Sequence, residues 1–595
     1  MQFYFDPVDK ACKSVIGGIP SDRSITFKVR SDAKEVYIVF LNEFTNNEKA
    51  YPMKKTSDGF FALRKSFKKG LYWYYFVADG LKIGKSKDKT ADYLATEKFQ
   101  LTVYGSEENF SDLLKGGIIY QIFPDRFNKA GDIPVPDGKI KRDDWGGLPN
   151  FRAADGKVYN NEFFGGNFKG ITQKLEYLKE LSVTAVYLNP LSESYSSHRY
   201  DTGDYMRFDR VLGSDDDARE MIEKGEKLGI SFIFDGVYNH TGADSRYFNR
   251  FDRYDSVGAY QSEKSPYHDW FTFNRFPDDY ESWWGFKSLP SIAKESKSFQ
   301  NFITEKVLPR YFRLGFKGVR LDVVDELSQE FVESINKTVR SLDSNAVVIG
   351  EVWEDATNKI AYGKRRKYFL GGQLDSVMNY PLKDAIIDYV LHGCTDYITE
   401  VMKEQLNNYP KAALDSLMNV LSTHDTSRIL TVLTRRRVET DKDLMRLESY
   451  EEDELDHGKT LCKIAFVLQF TVYGVPSVYY GDEAGLWGDL DPYNRKCYPW
   501  GAEDKDMLSF TRRLAAIRTG EKVFSDGEFS ILYAKDKVLC YSRKSGDSEI
   551  VVALSRYESA VKLRFNGKFE NLLTEERSDV FTLSSDDFLI LKKCR

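Results

Sequence analysis

Long apolar runs are missing from this 595-residue chain. No stretch approaches the roughly 18 uninterrupted apolar residues of a membrane-crossing helix, and the mean hydropathy is −0.48. Cysteine is scarce: six residues, at positions 12, 394, 462, 497, 540 and 594, lie far apart with no CxxC pair. That pattern argues against a disulfide framework or a zinc site and for the reduced, mostly buried thiols of an intracellular protein. Charge of one sign is missing too. Lys plus Arg is 85 and Asp plus Glu is 91, so the net charge is −6, without the basic surplus of a nucleic-acid binder. Residues 1–20 hold no basic start followed by an apolar stretch, so no secretory leader is read and a cytoplasmic location is expected. There is no Walker loop, no HExxH and no serine on a nucleophile elbow.

Aromatic residues are abundant: 37 Tyr, 41 Phe and 8 Trp. Large cores and strand-rich domains account for most of them. The rest suit stacking platforms for a ligand with flat apolar faces, such as a sugar ring.

Residues 1–110 read as an all-β sandwich. Ser24–Val29, Glu35–Phe40 and Leu71–Val77 are β-branched and aromatic, with Gly, Asn, Asp and Ser turns between them. Over 111–510 short apolar runs alternate with helical stretches such as Phe168–Leu181 and Asp215–Leu228. Eight runs are strand candidates: Ile118–Phe123, Ala185–Leu188, Phe232–Phe234, Gly318–Leu321, Val347–Gly350, Ser376–Asn379, Met418–Leu421 and Pro476–Tyr480. This order predicts a (β/α)8 TIM barrel, an α/β fold. The link after the third run is too long for a bare loop, so 239–298 is expected to be an inserted domain. The acidic stretch Glu448–Asp456 reads as a solvated helix face or loop. Residues 511–595 turn β-like again and predict a C-terminal β-sandwich.

Active sites of such barrels lie at the C-terminal ends of the strands. There the third run ends in Asp235, followed by His240; the fourth ends in Asp322, after Arg320; the fifth ends in Glu351; the seventh leads to His424 and Asp425. The second leads into His198-Arg199-Tyr200-Asp201. An Asp after a strand is often only a turn former or helix cap, but caps on several strands of one barrel are a strained coincidence. Two close carboxylates suit glycosidic cleavage, one attacking the anomeric carbon and one protonating the leaving oxygen. Arg320 precedes Asp322 by two residues and so shares its side of the strand. A guanidinium there is expected to hold Asp322 ionised as the nucleophile. Glu351 has no such partner in sequence and is flanked by Val352 and Trp353, which suits a general acid.

Four stretches, Asp235-Gly-Val-Tyr-Asn-His240, Gly318-Val-Arg-Leu-Asp-Val-Val-Asp-Glu326, Gly350-Glu-Val-Trp353 and Ser422-Thr-His-Asp425, resemble in order and spacing the signature regions of the α-amylase family of glycoside hydrolases. Tyr120–Phe127, Phe164–Asn167, His198–Tyr205, Met378–Pro381, Tyr479–Glu483 and Asp491–Arg495 extend the resemblance. The N-terminal β-domain and Glu326 are similar to the neopullulanase, cyclomaltodextrinase and maltogenic amylase branch. The resemblance implies Asp322 as nucleophile, Glu351 as acid/base and Asp425 as transition-state stabiliser. It places Tyr200, Asp235, His240, Arg320, Glu326, Trp353, His424, Asp491 and Arg495 on the substrate. Two departures fall on the acceptor side. Trp283-Trp-Gly-Phe-Lys-Ser-Leu-Pro-Ser-Ile292 lacks the branch's Met-Pro-Lys-Leu-Asn, and Val324-Asp325-Glu326 stands where Ala-Asn-Glu is common.

The implied activity is retaining hydrolysis of α-1,4, with or without α-1,6, bonds in maltodextrins, cyclodextrins, pullulan or starch. Transglycosylation or exo-acting α-glucosidase chemistry on the same scaffold is the alternative. A non-catalytic glycan-binding relative is disfavoured because all three carboxylates are present. No cofactor is required. Relatives that bind calcium point to Asn128, Asp132, Gly166 and Asn167 as structural Ca2+ ligands, a set weakened by Asn167 in place of Asp. Expected partners are α-glucans and a second copy of the chain through the N-terminal domain, not nucleic acid or membrane.

Overall fold

The alternating pattern at the N-terminus folds into two facing sheets. The computed structural model describes residues 2–92, 95–106, 110–133, 135–136, 138–153, 155–434 and 451–594. Phe3–Tyr4, Ser24–Ser31, Phe60–Ser66 and Lys54–Lys55 form one sheet; Val36–Asn42, Gly70–Ala78, Leu81–Lys85 and Phe99–Tyr104 belong to the other. Every second side chain of Ser24–Ser31, namely Ile25, Phe27 and Val29, points into a shared core with Phe40, Tyr74, Phe76 and Phe99.

The eight apolar runs pair as parallel strands: β1 Ile119–Ile122, β2 Ala185–Leu188, β3 Ser231–Gly236, β4 Gly318–Leu321, β5 Val347–Gly350, β6 Ser376–Val377, β7 Met418–Val420 and β8 Val475–Tyr479. Their order round the sheet is β6-β5-β4-β3-β2-β1-β8-β7. A parallel bridge between Met378 and Met418 brings β6 against β7, so the barrel is almost closed. Inward side chains, among them Ile119, Tyr187, Ile233, Val347, Ile349 and Val475, fill the barrel; Val186, Phe234, Val319, Leu321 and Val348 point outward to the helices. That period of two decides the site. Because Phe234, Val319 and Leu321 face out, Asp235 and Arg320 must face in.

Two helical readings change in detail. Phe168–Leu181 is two short helices, Phe168–Gln173 and Leu175–Glu180, separated at Lys174. Asp215–Lys227 starts from a capping box in which Ser214 and Asp217 satisfy each other's backbone N–H. The insertion after β3 carries an aromatic core of Tyr247, Phe248, Trp270, Phe271 and Tyr280 and joins the barrel rim where His240 bridges Ser291. Of the acidic stretch, 448–450 lie outside the described residues; Glu452, Asp453 and Glu454 form the first turn of Glu452–Thr471, where the helix dipole favours negative charge.

The C-terminal strands, Glu528–Lys535 through Asp587–Lys593, form one six-stranded sheet. One face (Leu539, Tyr541, Ile550, Val552, Ile590) packs on the barrel side, and the other (Cys540, Val551, Phe569, Phe581, Leu591) closes a small core. The cysteines are free thiols; Cys12, Cys462, Cys497 and Cys540 are buried and Cys394 is exposed. Among the described residues no helix is long and apolar enough to cross a membrane.

Candidate active site

Arg320 is fully buried at the C-terminal end of β4, and its guanidinium gathers three carboxylates from three strands. Nη1 donates to Asp235 Oδ1 at 2.9 Å and to Asp322 Oδ1 at 2.8 Å; Nη2 lies 3.0 Å from Glu351 Oε2. Register explains the convergence. Asp235 pairs with Arg320 across β3 and β4, and Leu321 pairs with Gly350 across β4 and β5. The next residues, Asp322 and Glu351, therefore leave adjacent strand ends, at a spacing of about 4.8 Å between parallel neighbours. The Val323 N–H donates to Glu351 Oε2 at 2.8 Å. The Trp353 indole N–H donates to Oε1 at 3.2 Å, and its ring stacks on Tyr380 at 3.9 Å.

A second network approaches from the opposite side of the rim. Gln121 Nε2, on β1, donates to His424 Nδ1 at 3.0 Å and to Asn189 Oδ1 at 3.1 Å. With Nδ1 an acceptor, His424 carries its proton on Nε2, directed at Asp425 Oδ2 (3.1 Å) and the Tyr200 hydroxyl oxygen (2.5 Å). Tyr200 and Tyr187 both donate to Asp235 Oδ2, at 2.7 and 2.6 Å. Arg495 Nη2 stands 3.7 Å from Asp425 Oδ1, while its Nε and the Asn494 amide hold the His424 carbonyl. His240 is buried against Trp283, ring centroids 5.2 Å apart, and its ring is within reach of the Tyr200 backbone.

The electrostatics correct one expectation. Arg320 does pull Asp322 down, but burial is the larger effect, and the charges of Glu351 and Asp235 add to it. The Asp322 carboxyl sits well above the ordinary carboxylate range. Sharing limits how far the guanidinium offsets that burial: it faces three carboxylates, so Asp322 does not have it to itself. Nor does Glu351 lack a cation, since Arg320 reaches it through Nη2. Asp425 is pushed up to about 7 by burial first and by Glu351 next. Burial keeps the histidines neutral, His240 pushed down to about 4 and His198 to about 3, with His424 also lowered.

Of the residues named from sequence, Asp322, Glu351, Asp425, Asp235, Arg320, Tyr200, His424, Arg495 and Trp353 meet in this cluster, and Asp491 lies close enough to act on Asp425 and His198. Glu326 stands apart. It is on the turn after Asp322, beside the Tyr362 hydroxyl and Lys294. Sequence reasoning did not single out Tyr187, Gln121, Asn189, Val323, Tyr380 or Asn494. The inward parity of β1 and β2 was the one signal for Gln121 and Tyr187.

The four calcium candidates do not present a shell of oxygens. Asn167 caps its helix with Oδ1 and gives Nδ2 to Ala130 O, and Asn128 gives Nδ2 to Gly170 O. Gly166 donates to Asp125 O, and exposed Asp132 pairs with Lys141. A hard cation needs six to eight oxygens, and these residues do not fit one; among the described residues no cluster of His, Cys, Asp or Glu does.

Residues 121–519 match the alpha amylase catalytic-domain family. An amylopullulanase from Thermoanaerobacterium saccharolyticum is 32% identical over 93% of this chain and 48% of its own length, so the chain spans about half of that relative. A cyclomaltodextrinase from Thermoanaerobacter pseudethanolicus is 30% identical over 82% of this chain and 79% of its own. A solved cyclomaltodextrinase superposes with a TM-score of 0.71 at 24% identity, covering 100% of this chain and 99% of that one. With a carboxylate, histidine and arginine rim built at the strand ends of an eight-stranded barrel and a family match over two thirds of its length, the chain belongs to the alpha-amylase family.

Proposed function

We propose that the protein is a retaining α-glucan hydrolase that cleaves α-1,4 bonds in short or cyclic maltodextrins by double displacement. The observation that carries the reading is the Arg320 clamp. It brings Asp322 and Glu351, on adjacent strand ends, onto one guanidinium, and retaining enzymes hold their two carboxyls about 5–5.5 Å apart, without the wider gap that admits a water.

An Asp322 carboxylate oxygen attacks the anomeric carbon as Glu351 gives its proton to the departing glycosidic oxygen, leaving a glycosyl ester on Asp322. Glu351 then takes a proton from water, the water oxygen attacks the same carbon, and Asp322 leaves as carboxylate. Asp425, with His424 Nε2 behind it, is placed to hold sugar hydroxyls as charge develops at the ring. Asp235 takes no covalent part; its two tyrosine donors and Arg320 fix the floor of the site. His240, beside Tyr200, supplies a further sugar contact. No step runs through a cation.

The relatives' names, amylopullulanase and cyclomaltodextrinase, support an α-glucan substrate for this chain. Self-association through the N-terminal domain belongs to the same reading. The test is kcat/KM on β-cyclodextrin, pullulan and soluble starch side by side. Cyclodextrin is expected to lead; starch preferred by about tenfold or more, some 1.4 kcal/mol in transition-state binding, would overturn the substrate assignment.

A further inference from the structure

A cavity of about 340 Å³ opens between the N-terminal domain and the barrel. Its volume falls within the range of small-molecule sites, about 300–1,000 Å³, which favour domain boundaries. One wall is a single helix face. Along Thr395–Asn408 the lining residues are Tyr397, Glu400, Val401, Glu404 and Gln405, the i, i+3, i+4, i+7, i+8 stripe, while Ile398 and Met402 turn into the core. The opposite wall is the outer face of the N-terminal sheet, where Trp73, Lys85, Lys89 and Gln100 project.

The chemistry of the lining narrows the ligand. Lys89 pairs with Glu400 at 2.6 Å, and Lys85 pairs with Glu404 at 2.6 Å. Both cations are neutralised within the wall, so no anion is called for. Trp73 is pinned edge-on, its indole N–H donating to Glu43 Oε2 at 2.6 Å, and Glu43 in turn holds Arg365. The Arg365 guanidinium covers one face of the indole, 5.7 Å from the ring centroid, and the ring lines the cavity. Tyr397 is 39% exposed on the facing helix. Two aromatic faces set among amides and paired charges suit a neutral, hydroxyl-rich ring with an apolar underside. The floor includes Asp355 and Asn358 from the loop that carries Glu351, and Pro381, which follows the Tyr380 stacked on Trp353.

We infer that this interdomain cavity is a second carbohydrate site that takes glucose units of an α-glucan chain apart from the catalytic cleft, an inference that rests on the proposed substrate class. The probe is maltotetraose, titrated calorimetrically into the Asp322→Asn enzyme, in which turnover is stopped. Two classes of site are expected. Adding Tyr397→Ala, or separately Trp73→Ala, should weaken one class by about tenfold, the order of a lost aromatic contact, and leave the other unchanged. Tyr397→Ala in the otherwise wild-type enzyme should hydrolyse maltotetraose within about twofold of the normal rate, since Tyr397 is outside the catalytic rim. A single class of site that neither substitution alters overturns the inference. Absence of maltotetraose hydrolysis by the wild type is a separate result that overturns the proposed function instead, because the titration does not depend on turnover.

Discussion

Val323, the residue after Asp322, donates its backbone N–H to Glu351 Oε2 at 2.8 Å, and does so from φ +38° and ψ +52°. A β-branched residue in the left-handed region is a true outlier, costing about 1–3 kcal/mol. The strained turn aims one main-chain donor at Glu351 from the residue next to Asp322. It thereby couples the two carboxyls through three bonds of backbone rather than through mobile side chains.

Val323→Gly tests the strain. Glycine keeps the N–H and removes the Cβ that objects to the left-handed region. Relief of strain should offset the lost isopropyl group, so stability by denaturant unfolding should change by no more than about 1 kcal/mol. A loss of about 3 kcal/mol would mean the turn is unstrained. Freed from the restricted backbone, the N–H should hold Glu351 less well, and kcat should fall about tenfold.

Arg320→Lys should be severe despite the kept charge. An ammonium offers no fork and cannot serve Asp235, Asp322 and Glu351 together. Leaving buried carboxylates without a partner typically costs about 3–5 kcal/mol. Because Arg320 pulls Asp235 and Asp322 down, its loss should move the acidic limb of any residual activity to higher pH. An unshifted limb would contradict the electrostatic account.

Most of the barrel and of the candidate rim was legible in the sequence because parity and position carry them. Eight apolar runs marked the strands, and the polar residue ending each run had to stand at the C-terminal rim. What was not legible was sharing. Residue spacing placed Arg320 beside Asp322, but not the Asp235 and Glu351 contacts that come from neighbouring strands. The sign of the Asp322 shift depends on those contacts and on burial, so the two-residue reading missed it. Tyr187 and Gln121 sit inside apolar runs and read as core; the depth of the barrel turns them into partners of Asp235 and His424. Lys141, nine residues from Asp132, likewise pairs with its carboxylate across the fold.

Stability should fall as pH rises toward neutrality. Asp201, Asp425 and Glu483 are each pushed up to about 7, chiefly by burial. A carboxyl whose pKa is raised on folding binds its proton more tightly in the folded state. The stability it contributes is full below the ordinary value near 4 and lost as pH rises through about 7. The thermal midpoint should therefore drop between about pH 4 and about pH 7 and level off above it, and Asp425→Asn should shallow that drop while nearly abolishing kcat. A midpoint that climbs across this window would contradict the assigned shifts.

The central claim is that Asp322 and Glu351 work as nucleophile and acid/base across adjacent strand ends. Proton NMR of the first product released from a maltodextrin reads it directly. Attack by Asp322 opposite the leaving group, followed by water on the face that group vacated, gives the α-anomer first, with the β-anomer growing in only as the sugar mutarotates. An initial β-anomer would require a single displacement by water, and the roles given to both carboxylates would then be wrong.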